Sequence, residues 1–157
     1  MIASITTAEL CAEIRNAIAT DSALLAWCVA QFGKSPSVWV GIDEENPPAA
    51  SQYPVIALLK IDQIRGGSKD ENVWELTLGI AVSNNGIVTS GITYTYTGML
   101  QAETLRELAE DSIYRAKLSS ADSDGQSMSI NDYPLFISFS VMTIRILRTT
   151  RRAMPGR

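Results

Sequence analysis

The acidic stretch Asp43–Glu45 is the part of the sequence whose residue types come nearest to a catalytic or metal site. Carboxylates bind Mg²⁺ and act as general acids or bases, and Asp62 is a further carboxylate on a predicted strand downstream. A nuclease-like site would also need a lysine two residues beyond an acid on a strand, and Thr77 occupies that position after Glu75. Adjacent carboxylates repel one another and are most stable in water. We therefore interpret Asp43–Glu45 as an exposed acidic loop.

The absence of histidine excludes most other kinds of catalytic and metal site. The chain has no Ser-His-Asp or Cys-His nucleophile system and no histidine metal ligand. Cys11 and Cys28 are too few for a structural zinc site, and we interpret them as reduced residues inside helices. The run Gly66–Lys69 lacks the spacing of a phosphate-binding loop, and Asp122–Gly125 lacks the later ligands of a calcium loop. No catalytic residue, cofactor or metal site is predicted.

The charge balance argues against general nucleic-acid binding. The formal net charge is -4 and the isoelectric point is about 4.8, whereas binding to phosphates requires many cations. Arginines nevertheless cluster near the carboxyl end, in a segment that is either a solvated terminus or a contact with an acidic neighbour. These are Arg145, Arg148, Arg151, Arg152 and Arg157. The chain opens on no secretory leader and holds no apolar run of roughly 18 residues, so we expect a cytosolic setting without a membrane partner.

Two helices are predicted at the amino-terminal end. Thr6 and Glu9 have the spacing of a capping box, in which each side chain accepts a hydrogen bond from the other residue's backbone amide. Apolar residues then recur at helical spacing and predict the first helix. Asp21 or Thr20 is placed to cap a second helix, which ends at Gly33, the usual left-handed stop. The two helices are expected to pack as a hairpin.

The middle of the chain has the patterns of strands. Residues 37–42 are a short run of aromatic and branched residues, and residues 54–64 are a longer run after the proline-bearing loop. A polar turn leads into residues 73–83, where apolar residues fall on one side of a strand. They are Trp74, Leu76, Leu78, Ile80 and Val82. Residues 55–83 are therefore predicted to form an antiparallel hairpin.

The second half of the strand predicted over residues 54–64 is expected to have one face exposed to water. There, Leu59 and Ile61 alternate with Lys60 and Asp62. Because side chains alternate between the two faces of a strand, the pattern places the two apolar residues on one face and the two charged residues on the other.

Residues 83–98 form an arm whose pattern leaves two structures open. Asn85–Gly86 favours a tight turn, while Tyr94 and Tyr96 alternate with threonines. The arm is either an extra hairpin or an ordered loop that crosses the sheet. Base stacking by the tyrosines has little support without a basic groove, whereas aromatic residues are favoured where one protein contacts another.

A helix and a strand are predicted for the last third of the chain. Residues 99–119 are expected to be helical, with acids before bases as the helix dipole prefers, residues 119–134 to be a loop, and residues 135–148 to be a final strand. The order helix, helix, strand, strand, strand, arm, helix, strand predicts one α+β domain over residues 1–148. Helices would cover one face of a mostly antiparallel sheet of four to five strands. Residues 149–157 would be a basic tail.

This element order, with the Tyr53–Pro54 turn into the strand Val55–Leu59, resembles the tail terminator (tail completion) proteins of tailed bacteriophages. The resemblance covers residues 6–148 and is one of element order and length. It implies a virion protein, assembled in the host cytoplasm, that forms a ring on the end of the tail tube. The ring, expected to be a hexamer, would stop tube polymerisation and offer a surface to the head–tail connector. The resemblance implies no enzymatic activity and no cofactor.

The partners implied are further copies of the chain, the tail tube protein and the head–tail connector protein. A ring needs heterologous contacts, in which one patch of each subunit meets a different patch of the next, and opposite charges would guide them. We hypothesise that an acidic patch, on the loop or on the third helix, meets arginines near the carboxyl end. The candidate assembly contacts are Asp43, Glu44, Glu45, Tyr94, Tyr96, Glu103, Glu107, Glu110, Arg145, Arg148 and Arg151.

Two alternatives remain open. The first is another neck or head–tail joining component, because several such components share small α+β folds. The second is a small α+β ligand-binding or enzymatic domain that uses tyrosine, serine and carboxylate side chains. A deep, closed pocket lined by Tyr94, Tyr96 or Asp62 would favour the second alternative.

Overall fold

The computed structural model describes residues 5–64, 71–116 and 126–147. These residues form three α-helices: α1 (Thr7–Thr20), α2 (Ser22–Phe32) and α3 (Thr97–Arg115). They also form the strands β1 (Ser37–Val40), β2 (Val55–Ile64), β3 (Glu71–Ser83), β4 (Ile87–Ser90), β5 (Thr93–Tyr96), β6 (Gln126–Asp132) and β7 (Leu135–Leu147). Helices pack on a sheet, and the fold is α+β, as predicted.

Five of the strands form one sheet in the order β1-β2-β3-β7-β6. β1 runs parallel to β2, and the other neighbours are antiparallel. The hairpin predicted over residues 55–83 is confirmed, because β2 and β3 pair from Val55 opposite Ala81 to Ile64 opposite Val73. β4 and β5 form a separate two-stranded sheet, so the arm is an extra hairpin.

The helices cover one face of the five-stranded sheet, which we call the inner face. The predicted apolar residues of β3, from Trp74 to Val82, are fully buried there against side chains of all three helices. The indole Nε1 of Trp74 also donates a hydrogen bond to Thr7 Oγ1 at 3.1 Å. The central strand is thereby joined to the first turn of α1.

The helix ends follow the sequence signals. Thr6 and Glu9 form the capping box at the start of α1, and Gly33 ends α2 in the left-handed conformation with a φ of 72°. Asp21 caps α2, because its Oδ1 accepts hydrogen bonds from the amides of Ala23 at 3.0 Å and Leu24 at 3.1 Å. The short connection between α1 and α2 is thus fixed by one carboxylate.

Strand β2 contains one extra residue at Leu59, where its register with β3 shifts between Leu58 and Lys60. The expectation that Leu59 and Ile61 share a face is wrong, because this bulge resets the alternation. Ile61 packs against the core, while Leu59 lies on the opposite, outer face of the sheet. A Cβ added at Gly79 would lie 2.7 Å from Leu59 Cδ1, so a glycine leaves the space that the bulged side chain occupies.

The segment predicted as a loop over residues 119–134 contains strand β6. This strand pairs with β7 from Gln126 opposite Val141 to Asp132 opposite Leu135, and all seven of its residues are exposed. Apart from Met128 and Ile130 its residues are polar, which a strand at the edge of a sheet tolerates and which explains why its sequence resembles a loop. Residues 117–125 and 148–157 lie outside the described residues, as do Arg148, Arg151, the predicted basic tail and the end of the predicted helix.

Candidate assembly surface

An apolar groove of about 290 Å³ lies on the outer face of the sheet. Its floor includes small residues of β2 and β3, namely Ala57, Gly79 and Ala81. Pro48 and Tyr53, from the loop that follows β1, line it as well. We call this feature the sheet groove. The proline-bearing loop therefore borders an apolar surface, which the sequence analysis did not foresee.

Strand β7 extends the apolar character of the outer face. Ile137 and Phe139 line the sheet groove, while Ser138 and Ser140 are buried on the inner face. Ser138 Oγ donates a hydrogen bond to Glu103 Oε1 at 2.9 Å, which satisfies the buried hydroxyl. In a sheet with one wet face, the apolar residues normally face the core and the polar ones face water. This part of β7 has the reverse arrangement, as expected for a surface that another protein covers.

Two side chains of β6 carry the apolar surface to the edge of the sheet. Met128 is opposite Phe139 and Ile130 is opposite Ile137, so each pair shares the outer face. Met128 is 60% exposed and Ile130 is 45% exposed. Contiguous exposed apolar residues of this kind mark protein contacts more often than isolated ones.

The arm formed by β4 and β5 is a second apolar surface. Ile92, between the two strands, is 94% exposed, and Tyr94 is 71% exposed. No charged residue occurs from Asn84 to Tyr96. Tyr94 therefore has the accessibility that its predicted role as a contact residue requires.

Tyr96 has a different position, at the base of the arm. Its ring packs against Tyr133 with 5.3 Å between the ring centroids and near Phe136 at 6.1 Å. The hydroxyl of Tyr133 donates a hydrogen bond to the carbonyl of Asn85 at 2.9 Å. These contacts hold the arm to the start of β7, so the main contacts of Tyr96 lie within its own chain.

The acidic loop Asp43–Glu45 is exposed, as predicted. Asp43 accepts hydrogen bonds from the side chain of Asn46 at 2.8 Å and from the amide of Glu45 at 3.0 Å. These bonds lower the pKa of Asp43 below its ordinary value. Glu44 lies at the sheet groove. The loop thus presents charge beside an apolar surface.

The acidic face of α3 is partly neutralised by Arg106, a residue that was not among the predicted contacts. Arg106 Nη1 lies 2.6 Å from Glu110, and its Nη2 lies 3.1 Å from Glu103 and 3.7 Å from Glu107. The spacing of three and four residues along a helix was the signal that could have identified these pairs. Arg145 lies 3.5 Å from Glu71, at a strand end rather than beside either acidic patch.

Two features of the described residues bear on metal binding and on thiol chemistry. Those residues contain no cluster of three or more side chains that could hold a metal ion. Both cysteines are free thiols, and burial raises the pKa of Cys28 to about 11, which leaves little reactive thiolate at neutral pH. Tyr94, Tyr96 and Asp62 do not line the sheet groove.

Within the described ranges, no helix has both the length and the apolar character to cross a membrane. No protein-family model matches the chain, and no curated protein matches it significantly. A functional assignment for the chain therefore rests on the two apolar surfaces and the acidic loop.

Proposed function

We propose that the chain is a virion structural protein of a tailed bacteriophage, a tail terminator that acts without catalysis. Several copies, expected to be six, would form a ring on the end of the tail tube, stop its polymerisation and provide the surface for head–tail joining. The element order that suggested this role is present in the fold with strand β6 added between α3 and β7, and helices lie on one face of a mostly antiparallel sheet with the arm before α3.

One observation carries the self-assembly part of the proposal. Each subunit has two different exposed apolar surfaces, the outer sheet face with its groove and the projecting arm. A ring of identical subunits needs two such different patches, because each subunit uses one patch toward the preceding copy and the other toward the next. Contiguous exposed apolar patches on a folded protein commonly mark sites of contact with other molecules.

The acidic loop is suited to a contact with the tail tube or the connector. Asp43, Glu44 and Glu45 are exposed, and the side-chain contacts of Asp43 lie within the loop itself. A basic surface on a neighbouring virion protein would be attracted to the loop, with an effect on association rate larger than that on final affinity.

The proposal is tested with the purified full-length chain and the tail tube protein of the same phage. Native mass spectrometry is expected to show a closed ring, and electron microscopy of tubes assembled with the chain is expected to show uniform ends and limited length. Tubes assembled without it provide the control. A chain that stays monomeric at high micromolar concentration and leaves tube length unchanged would contradict the proposal.

Another neck component would use the same kinds of surface, and its position on the particle distinguishes it. Gold labelling of a tagged chain on isolated tails is expected at the head-proximal end of the tube. Labelling on the connector of filled heads that lack tails would instead favour the neck component.

A further inference from the structure

The arm exposes apolar side chains to water. It is a two-stranded sheet of four residues in each strand, and Ile92, Val88 and Tyr94 are largely exposed on it. Exposed apolar patches on a folded protein commonly mark a contact with another molecule.

The base of the arm is fixed, so the arm projects in a defined direction. Asn84 Oδ1 accepts a hydrogen bond from the amide of Gly86 at 2.8 Å, and Asn84 Nδ2 donates one to Gln101 Oε1 at 2.8 Å. The amide of Thr97 donates to the carbonyl of Gly86 at 3.2 Å. An element that is ordered before it binds loses less conformational entropy on binding.

The sheet groove matches the arm in chemistry. Among the described residues that line it, all but Glu44 are uncharged and most are apolar, and the arm has no charge from Asn84 to Tyr96. None of the residues of β4 or β5 lines the groove of its own chain. The arm and the groove are therefore separate surfaces of one subunit. If they came into contact, Glu44 would be the one charged side chain involved among these described residues, and it lies on the exposed acidic loop.

A second copy of the chain is the occupant that satisfies both surfaces at once. Every copy has one arm and one groove, so each copy can bind the next without a further protein. Such a contact is heterologous, and it closes into a ring when the rotation between copies permits. Met128 and Ile130, beside the groove, add apolar area for the strands of an incoming arm.

We propose that the arm of one copy docks in the sheet groove of the next copy, with Ile92 and Tyr94 as its anchors. This docking rests on the proposed self-assembly and names the surfaces that join the subunits.

The first test introduces a charge at the anchor residue Ile92. Ile92→Glu replaces a 94% exposed side chain, and Val29→Glu is a matched control at a 51% exposed position on α2. Loss of one buried isoleucine is expected to weaken association between copies about tenfold to a hundredfold, as measured by sedimentation equilibrium. The control should associate like the unmodified chain. Circular dichroism checks that both variants fold.

The second test joins the two surfaces covalently. All chains contain Cys11→Ser, which removes the partly exposed native thiol and leaves only the buried Cys28. One chain has Ile92→Cys and a tag, and the other has Pro48→Cys in the groove. A disulfide between the two chains is expected on mixing under mild oxidation, and replacement of Ile92→Cys by Val29→Cys should abolish it.

The outcomes separate this docking from the proposed phage role. Equal association of the Ile92→Glu and Val29→Glu variants, together with no cross-link, would overturn the docking and leave the ring. An unmodified chain that shows no self-association would overturn both. Cross-linked rings that do not limit tube length would support the docking and overturn the tail terminator role.

Discussion

Arg115 of α3 forms an ion pair with Asp21, the residue that connects α1 to α2, with 2.5 Å between Nη2 and Oδ2. The same carboxylate accepts a hydrogen bond from Ser112 Oγ at 2.8 Å and caps α2 through the amides of Ala23 and Leu24. The Asp21 side chain is only 10% exposed. One carboxylate thus joins all three helices of the fold.

Replacement of Asp21 by alanine is expected to lower the free energy of unfolding by about 0.5–3 kcal/mol. Loss of the helix cap accounts for about 0.5–2 kcal/mol, and loss of the ion pair with the half-exposed Arg115 accounts for about 0–1 kcal/mol, while Ser112 Oγ can still donate to the Leu108 carbonyl at 2.9 Å. Urea denaturation measures the change. Asp111→Ala, at an exposed position on α3, is the control and should be nearly neutral. Equal losses for the two variants would show that Asp21 does not connect the helices.

Asp21 is also expected to make the free energy of unfolding depend on pH in the acidic range. Its burial favours a higher pKa, but hydrogen bonds from the Leu24 amide, Ser112 and Arg115 outweigh burial and lower the pKa of Asp21 below its ordinary value of 3.8. The unfolded chain then binds the proton more readily than the folded one. The stabilising contribution of the Asp21 carboxylate to the free energy of unfolding is therefore fully present above the pKa of the unfolded chain. It is lost as the pH falls through the lowered pKa of the folded chain.

The variant Asp21→Asn isolates this contribution. The difference in unfolding free energy between the unmodified chain and the variant should shrink as the pH is lowered from about 5 to about 2. Denaturation at several pH values gives the difference. A difference that stays constant over this interval would contradict the assigned pKa direction.

Gly98→Ala should destabilise the protein, although alanine favours helices by about 1 kcal/mol over glycine. Gly98 is buried in the first turn of α3, and a Cβ there would lie 2.5 Å from Phe136 Cδ2. Because Phe136 is itself buried, we expect a loss of about 1–3 kcal/mol in thermal or urea unfolding. Adding Phe136→Leu should recover part of the loss. A gain in stability for Gly98→Ala alone would show that the ring moves aside freely.

Arg106→Met is expected to cost about 1–3 kcal/mol, because it leaves Glu103 and Glu110 beside each other without their cation. The Glu103 and Glu110 side chains are only 34% and 20% exposed, so water replaces the lost contacts with Arg106 poorly. Lys60→Met removes the cation of the exposed pair with Asp62 and provides the control, with no measurable change expected. Similar urea midpoints for Arg106→Met and the unmodified chain would contradict the role of Arg106.

The elements with strong periodicity were predictable from sequence. The alternation from Trp74 to Val82 identified the central strand, and Thr6, Asp21 and Gly33 marked helix ends that the structure confirms. These signals are local, since a cap or a strand face depends on residues only a few positions apart. The α+β class followed from the order of the elements.

The features that the sequence did not reveal depend on distant residues. β6 is exposed along its length and has only two apolar residues, Met128 and Ile130, so its pairing with β7 is what identifies it as a strand. The parallel pairing of β1 with β2 cannot be read from element order alone. The sheet groove combines residues from three strands and a loop, so no single stretch of sequence indicates it.

The extra residue at Leu59 has a consequence for how this protein can evolve. Without the bulge, Lys60 and Asp62 would turn toward the helices. With the bulge, the Leu59 side chain lies over Gly79 on the outer face of the sheet. Leu59 therefore shapes the sheet groove without belonging to the buried core. Substitutions at this one position can alter the shape of the sheet groove while the buried core stays unchanged, so the outer surface and the folding stability can diverge independently.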